Sequence, residues 1–407
     1  METMEQFRAA LSPEERLLLA CARRVACDDP SLSVLSISSL MIDWDRLVAL
    51  SVRHRVTPLL YEYLRHVCPE IILDKVLATL HADTVATTYA NLRMTHELIR
   101  LANLFATHGI VTVPFKGPVL AIEAYGKLGL RQFGDLDLLL HKKDIARAKR
   151  LLITEGYRPL IELTDEQEAD LIKYEDDYAF INADQSIKIE LHGGIKPKFY
   201  AFVIDEDGLW ERLTPILIGG RQFLHFAPED QILTLCIHGA SHSWERLFWI
   251  CDIAELLKTH QHIDWQELLY RARVLGAKRA VLLGLGLAQE LLNAPLSSIV
   301  TQAIKADPTV IRLVTQVAWR LFEETAETVE GFEQFRFFFH VRERWRDRLR
   351  YGFHLALDPT IHDWNVMTLP RSISFLYYVV RPIRLLRDYV VRPLSRLVST
   401  PFRYMGF

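Results

Sequence analysis

Residues 133–140, Phe133-Gly-Asp-Leu-Asp-Leu-Leu-Leu140, set two carboxylates into a stretch that otherwise asks to be buried. In a β-strand, residues two apart point to the same face, so Asp135 and Asp137 are expected to project from one side. Two neighbouring like charges repel, and burial raises the cost unless a cation lies between them. A hard divalent ion such as Mg²⁺, held by one or two carboxylates together with substrate phosphates, meets that need. A bare Asp-x-Asp has a plainer reading, a turn aspartate followed by one solvated strand residue. The neighbourhood decides between them.

Upstream, Ile110-Val-Thr-Val-Pro-Phe115 is β-branched and reads as a strand. Lys116-Gly117-Pro118 breaks it, and Val119 to Tyr125 reads as a short helix ending at Gly126. Downstream, Lys143 to Glu155 is an amphipathic helix closed by Gly156. Two more strand candidates follow, Tyr178 to Ile181 and Ile187-Lys-Ile-Glu-Leu-His192, joined by the turn-rich Asn182-Ala-Asp-Gln185. Glu190 sits in the last of these among Ile187, Ile189 and Leu191. Three acids on adjacent strands, beside a turn that opens a helix able to receive phosphate, form a constellation for a nucleotide and a metal.

Helices surround this unit. Ser12-Pro13-Glu14-Glu15 is a helix start. A second starts near Asp43-Trp44-Asp45 and runs toward Leu64, and a third spans His81 to His108. After Pro228 the expected segments are Glu229–Ser241, Arg246–Thr259, Trp265–Leu275 and Lys278–Leu292, with a further one from Asp307-Pro308 to about Glu330. The predicted fold class is α+β, a small mixed sheet embedded between mainly helical regions. The expected divisions are 1–100 helical, 101–195 catalytic, 196–330 helical and 331–407 basic and aromatic.

Lys-Gly, a short helix, Leu-Arg-x-x-Gly-Asp-Leu-Asp-Leu-Leu, a helix ending Gly-Tyr, then Glu-Leu-His resembles the DNA polymerase β-type nucleotidyltransferase superfamily. More narrowly, the chain is similar to the bacterial group described as uncharacterised nucleotidyltransferases. Asp43-Trp-Asp-Arg-Leu, His54-Arg-Val-Thr-Pro-Leu-Leu-Tyr and His238-Gly-Ala-Ser-His242 with Trp244, Arg246, Leu247 and Asp252 extend the likeness over roughly residues 40–295. The resemblance implies transfer of NMP from an NTP, with ATP the first expectation, to a hydroxyl of a small molecule or protein, releasing pyrophosphate. It implies that Asp135, Asp137 and Glu190 hold two Mg²⁺ ions and that Glu190 assists the acceptor hydroxyl. Lys116 and Gly117 would cradle the β and γ phosphates. The superfamily usually carries Gly-Ser or Gly-Gly at this turn, and Pro118 offers no N–H to a phosphate. A non-catalytic nucleotide-binding module and a toxin-like enzyme acting on tRNA are the alternatives.

Other residues have two readings each. Arg131 could neutralise a phosphate or be a solvated loop arginine. His192 shares a face with Glu190, as an acceptor contact or a strand-edge histidine. His238 and His242 lie four apart, which suits a helix face lining the cleft better than zinc, since no Glu follows His238. Asp252, in an apolar run, needs a partner such as Arg246 or His242.

Residues 331–407 contain 13 Arg, no Lys and 6 acids, a net charge of +7; the other 330 residues carry 35 basic and 45 acidic groups, a net −10. The acidic main body argues against a broad nucleic-acid footprint. The basic end, with its near-repeat Tyr378-Val-Val-Arg-Pro-Ile and Tyr389-Val-Val-Arg-Pro-Leu, suits an anionic membrane surface, a protein partner or docking on its own core. Five scattered cysteines without metal spacing, and no apolar run long enough to span a bilayer, predict a cytoplasmic protein.

Overall fold

A computed structural model describes residues 3–23, 41–67, 72–161, 177–194, 206–323, 332–357 and 376–387. The first helices begin on side-chain caps. Met4–Ala10 (α1) starts on a Thr3/Gln6 capping box. Pro13–Arg23 (α2) starts on Ser12, whose N–H donates to Glu15 Oε2 at 2.9 Å while its Oγ accepts from the Glu15 N–H at 3.3 Å. Asp43 caps Trp44–Arg53 (α3) by accepting from the Arg46 N–H at 3.0 Å. The expected continuation toward Leu64 does not occur. The chain breaks at His54-Arg55 and restarts as Thr57–Val67 (α4). Pro58 is the reason: without an N–H it cannot continue a helix, yet it fits a first turn. At the break Arg55 takes φ +55°, in the left-handed region. Asp74–Thr107 (α5) then runs for 34 residues.

The sheet follows. Val113–Pro114 (β1), Pro118–Glu123 (α6), Asp135–Leu139 (β2), Lys142–Thr154 (α7), Arg158–Pro159 (β3), Asp177–Ile181 (β4) and Lys188–His192 (β5) build a five-stranded mixed sheet of order β1-β2-β5-β4-β3. The strand expected over 110–115 is only two residues long. It is an edge strand ending in proline, as is β3, and a proline cannot donate to a ladder. Strands β2 and β5 are the parallel pair, and their register sets Asp135 beside Lys188, Asp137 beside Glu190 and Leu139 beside His192. The intervening Leu136, Leu138, Ile189 and Leu191 are buried in the opposite face with Leu98, Phe105 and Phe180. Alternation thus separates an apolar face from a charged one.

After Glu206–Glu211 (α8) comes a hairpin the sequence reading had placed within a helical region, Thr214–Ile218 (β6) and Arg221–His225 (β7). Its turn is Gly219-Gly220, both at positive φ, a sequence signal for a two-residue hairpin. Helices Pro228–Ser241 (α9), Leu247–Thr259 (α10), Trp265–Leu275 (α11) and Lys278–Leu292 (α12) match the four expected segments to within a residue or so. Ser298–Lys305, Pro308–Phe322, Phe332–Val341, Trp345–Leu357 and Tyr377–Leu386 (α13 to α17) follow. The first Tyr-Val-Val-Arg-Pro copy lies in α17; the second falls outside the described residues.

Two cores carry the packing. One surrounds the sheet. The other joins residues of α1 to α5 before position 81 to Leu120–Leu130 and to the helices after position 231. In the second, Trp244 is fully buried, and Gly239 is what admits it: a Cβ there would stand 2.4 Å from the indole ring. Cys21, Cys236 and Cys251 are buried free thiols. No described helix is long and apolar enough to cross a membrane.

Candidate metal and nucleotide site

Strand β5 presents Lys188, Glu190 and His192 on the same face, and β2 adds Asp135 and Asp137 beside them. Asp137, Glu190 and His192 each offer a ligand atom within 4.8 Å of the others. Two carboxylates and an imidazole are a donor set suited to a divalent ion. Asp135, expected to be a metal ligand, lies on the same face but outside this trio, and it is more exposed than Asp137. His192, expected only as a contact, lies inside it. Its Nε2 is 3.1 Å from Asp137 Oδ1 and 3.8 Å from Glu190 Oε2.

Cations already neutralise part of the cluster. The Lys116 ammonium donates to Asp137 Oδ1 at 2.9 Å, and Lys188 is hydrogen-bonded to Glu190. Burial by itself raises a carboxylate's pKa, but Lys116 and His192 outweigh it and hold Asp137 well below the usual range. Asp135 moves the other way, because burial and the charges of Asp137 and Glu190 all raise it. Two acids only two residues apart thus have opposed proton affinities. Lys188 was absent from the sequence-derived site, although the alternation Lys188-x-Glu190-x-His192 was there to place it.

The Lys116-Gly117-Pro118 turn packs directly over this strand. Gly117 takes φ +52° and ψ −123°, and a Cβ on it would stand 3.3 Å from the Asp135 carbonyl oxygen. Glycine is required on both counts. Pro118 is the first residue of the six-residue α6, a position whose N–H has no partner within a helix, so the unexpected proline fits the fold locally.

Arg131 is not a solvated loop residue. It is buried, with Nε and Nη2 donating to the two Asp252 oxygens at 2.8 and 2.9 Å. The Tyr125 hydroxyl adds a third bond to Asp252 at 2.8 Å. The partner of Asp252 is therefore Arg131 rather than the expected Arg246 or His242, because the loop before β2 lies against α10. Its guanidinium is committed there and ties the loop of the catalytic unit to the helical core.

From α9, His238 and His242 stand 4.6 Å apart between ring centroids, and His242 stacks on Trp249 at 5.0 Å. Burial, then the Lys116 charge, lowers both; His242 falls to about 4, and Asp137 and Glu190 partly oppose the shift. Both rings are thus neutral near pH 7 and electrostatically within reach of the carboxylates. They are not part of the metal-capable group among the described residues. The expected cleft-lining face fits that arrangement. Gln231, two turns before His238, fixes the strand end by donating to the Phe115 carbonyl at 2.8 Å.

A small mixed sheet with carboxylates on its central parallel pair and a lysine-glycine turn above them, flanked by helices, defines an α+β protein of nucleotidyltransferase type. The sequence pattern of the family described as uncharacterised nucleotidyltransferase matches residues 41–293, and the chain belongs to that family. Among solved structures it is similar to an antigenic nucleotidyltransferase-like protein from Paracoccidioides brasiliensis, at 17% identity and a TM-score of 0.30, over 52% of this chain and 96% of that one. No curated protein matches it in sequence.

Proposed function

We propose that this protein transfers NMP from an NTP, ATP being the first candidate, to a hydroxyl of a small molecule or protein, with release of pyrophosphate. The observation that carries the reading is the convergence of Asp137, Glu190 and His192 on one ion-sized space beside Lys116. Family membership supports the reaction class. Asp135, Asp137 and Glu190 are the carboxylates we assign to Mg²⁺; Asp137 and Glu190 converge together with His192, and Asp135 lies beside them on the same face. When bound, the metal supplies charge stabilisation for the transferring phosphate.

The chain's own residues do the rest. Asp137 stays ionised because Lys116 and His192 favour its charged form. Lys116, freed from Asp137 when another cation takes that carboxylate, is placed to meet the β and γ phosphates. Gly117 lets the backbone approach them without a side chain in the way. Glu190, the more open carboxylate, accepts the proton of the acceptor hydroxyl.

The test is incubation of the full chain with each α-³²P-labelled NTP, Mg²⁺ and cell extract. Label should move to an acceptor with wild-type protein and not with Asp135→Ala/Asp137→Ala. Transfer that persists in the double variant overturns the assignment, and NTP binding without pyrophosphate release overturns catalysis.

A further inference from the structure

Across from the carboxylates, the turn between α3 and α4 is fastened to the start of α10. The Arg246 guanidinium donates to the Arg53 carbonyl at 2.7 Å. The Leu247 N–H donates to His54 Nδ1 at 3.2 Å, and the Phe248 N–H to the His54 carbonyl at 3.3 Å. Into this joint come three arginines. Arg55 lies 5.6 Å from the centre of the Phe248 ring and Arg131 lies 5.8 Å from the same ring. Arg246 sits one turn of chain away.

Asp252 is consumed by Arg131, bidentately. Neither Arg55 nor Arg246 has a carboxylate within ion-pair distance among the described residues. Arg55 is half-buried, holds a left-handed backbone at φ +55° that costs an L-residue about 1 kcal/mol, and donates no side-chain hydrogen bond among the described residues. Glycine or asparagine would serve the turn better. A left-handed backbone that holds a half-buried guanidinium with no ion-pair partner among the described residues is a feature expected of a binding site.

We propose that Arg55 and Arg246 form a binding site for a phosphate group on the helical side of the cleft. This rests on the transfer reading only for the identity of the phosphate, the NTP's own tail or a phosphate carried by the acceptor. The guanidinium fork matches a phosphate bidentately, and Phe248 fixes its plane by cation–π contact. The cleft side is indicated by charge. Burial and the neighbouring Arg246 make the Arg55 guanidinium easier to deprotonate than usual, whereas Asp135 acts in the opposite sense. Arg55 therefore stands within the field of both the other arginines and the first acid of the Asp-Leu-Asp strand.

Calorimetric titration of the full chain with inorganic phosphate and, separately, with Mg²⁺-ATP at low ionic strength tests this. Arg55→Gly and Arg246→Gln should each weaken phosphate binding at least about tenfold, with Arg55→Lys intermediate. Arg55→Gly should melt no lower than wild type, since glycine accepts the left-handed turn, so the loss cannot be ascribed to unfolding. A parallel loss of ATP affinity assigns the site to the nucleotide tail; phosphate binding retained beside saturating ATP assigns it to the acceptor. The same phosphate affinity should persist in Asp137→Asn, which separates this site from the fate of the transfer reading. Equal phosphate and ATP affinities in wild type and Arg55→Gly overturn the proposal.

Discussion

The sheet and the helices each form a charged wall, and the two walls are charged in opposite ways. On the sheet wall, Asp135, Asp137 and Glu190 face Lys116 and Lys188, and the acids are in excess. On the helical wall, Arg55, Arg131 and Arg246 face Asp252, and the cations are in excess. By this count the sheet wall keeps one negative charge and the helical wall two positive ones. The two excesses oppose one another, since Asp135 acts on both Arg55 and Arg131. Under the proposed transfer a metal ion would meet the acids and a phosphate the arginines, and a metal–nucleotide complex carries both.

That contrast can be broken residue by residue. The largest effect belongs to the sheet wall: Asp137→Asn should reduce nucleotidyl transfer by roughly 10³-fold, measured by label transfer, while circular dichroism stays native. The helical wall has its own test in the buried pair. Asp252→Ala leaves Arg131 charged and unpaired and should cost about 3–5 kcal/mol in urea denaturation, whereas Arg131→Met/Asp252→Leu should come close to wild type. If the single and double variants lose equally, the pair has a role beyond charge compensation.

The joint beneath the helical wall responds to acid. His54 is fully buried, and burial with Arg53 and Arg246 holds its pKa down at about 3. The unfolded imidazole, near 6.5, therefore takes up a proton that the folded one refuses. Stability contributed by this residue is complete above about 6.5 and falls by roughly 1 kcal/mol per unit as pH drops toward 3. Denaturation at neutral and mildly acid pH should show a shallower pH slope in His54→Asn. The smallest effect is expected at the turn that supports the sheet wall. Gly117→Ala must adopt a glycine conformation and press on the Asp135 carbonyl, for about 1–2 kcal/mol in thermal unfolding.

Much of this was legible from local patterns. Alternation located β2 and β5, caps located α2 and α3, and apolar periodicity located the four helices after Pro228. Those signals act over a few residues. What failed was either a signal passed over or a contact made across the chain. Pro58 and Gly219-Gly220 marked the helix break and the hairpin, and the Lys188-x-Glu190 spacing marked the cation beside the acids. By contrast, nothing near Arg131 or Asp252 announces their pairing, because 121 positions separate them. The cation excess of Arg55 and Arg246 is equally invisible until α3 and α10 meet.

The core shared by early and late helices has a consequence for how the molecule is made. Helices before residue 81 leave the ribosome with apolar faces whose partners lie beyond residue 231. At ordinary elongation rates that interval lasts on the order of ten seconds. The five-stranded sheet, whose strands lie between positions 113 and 192, is complete before then and can fold in the gap. The early helices meanwhile wait exposed, which makes them the natural place for a chaperone to hold the nascent chain. Ribosome-bound chains halted near residue 235, with β5 clear of the exit tunnel, should therefore be protected from protease over the sheet and cleaved within the first eighty residues.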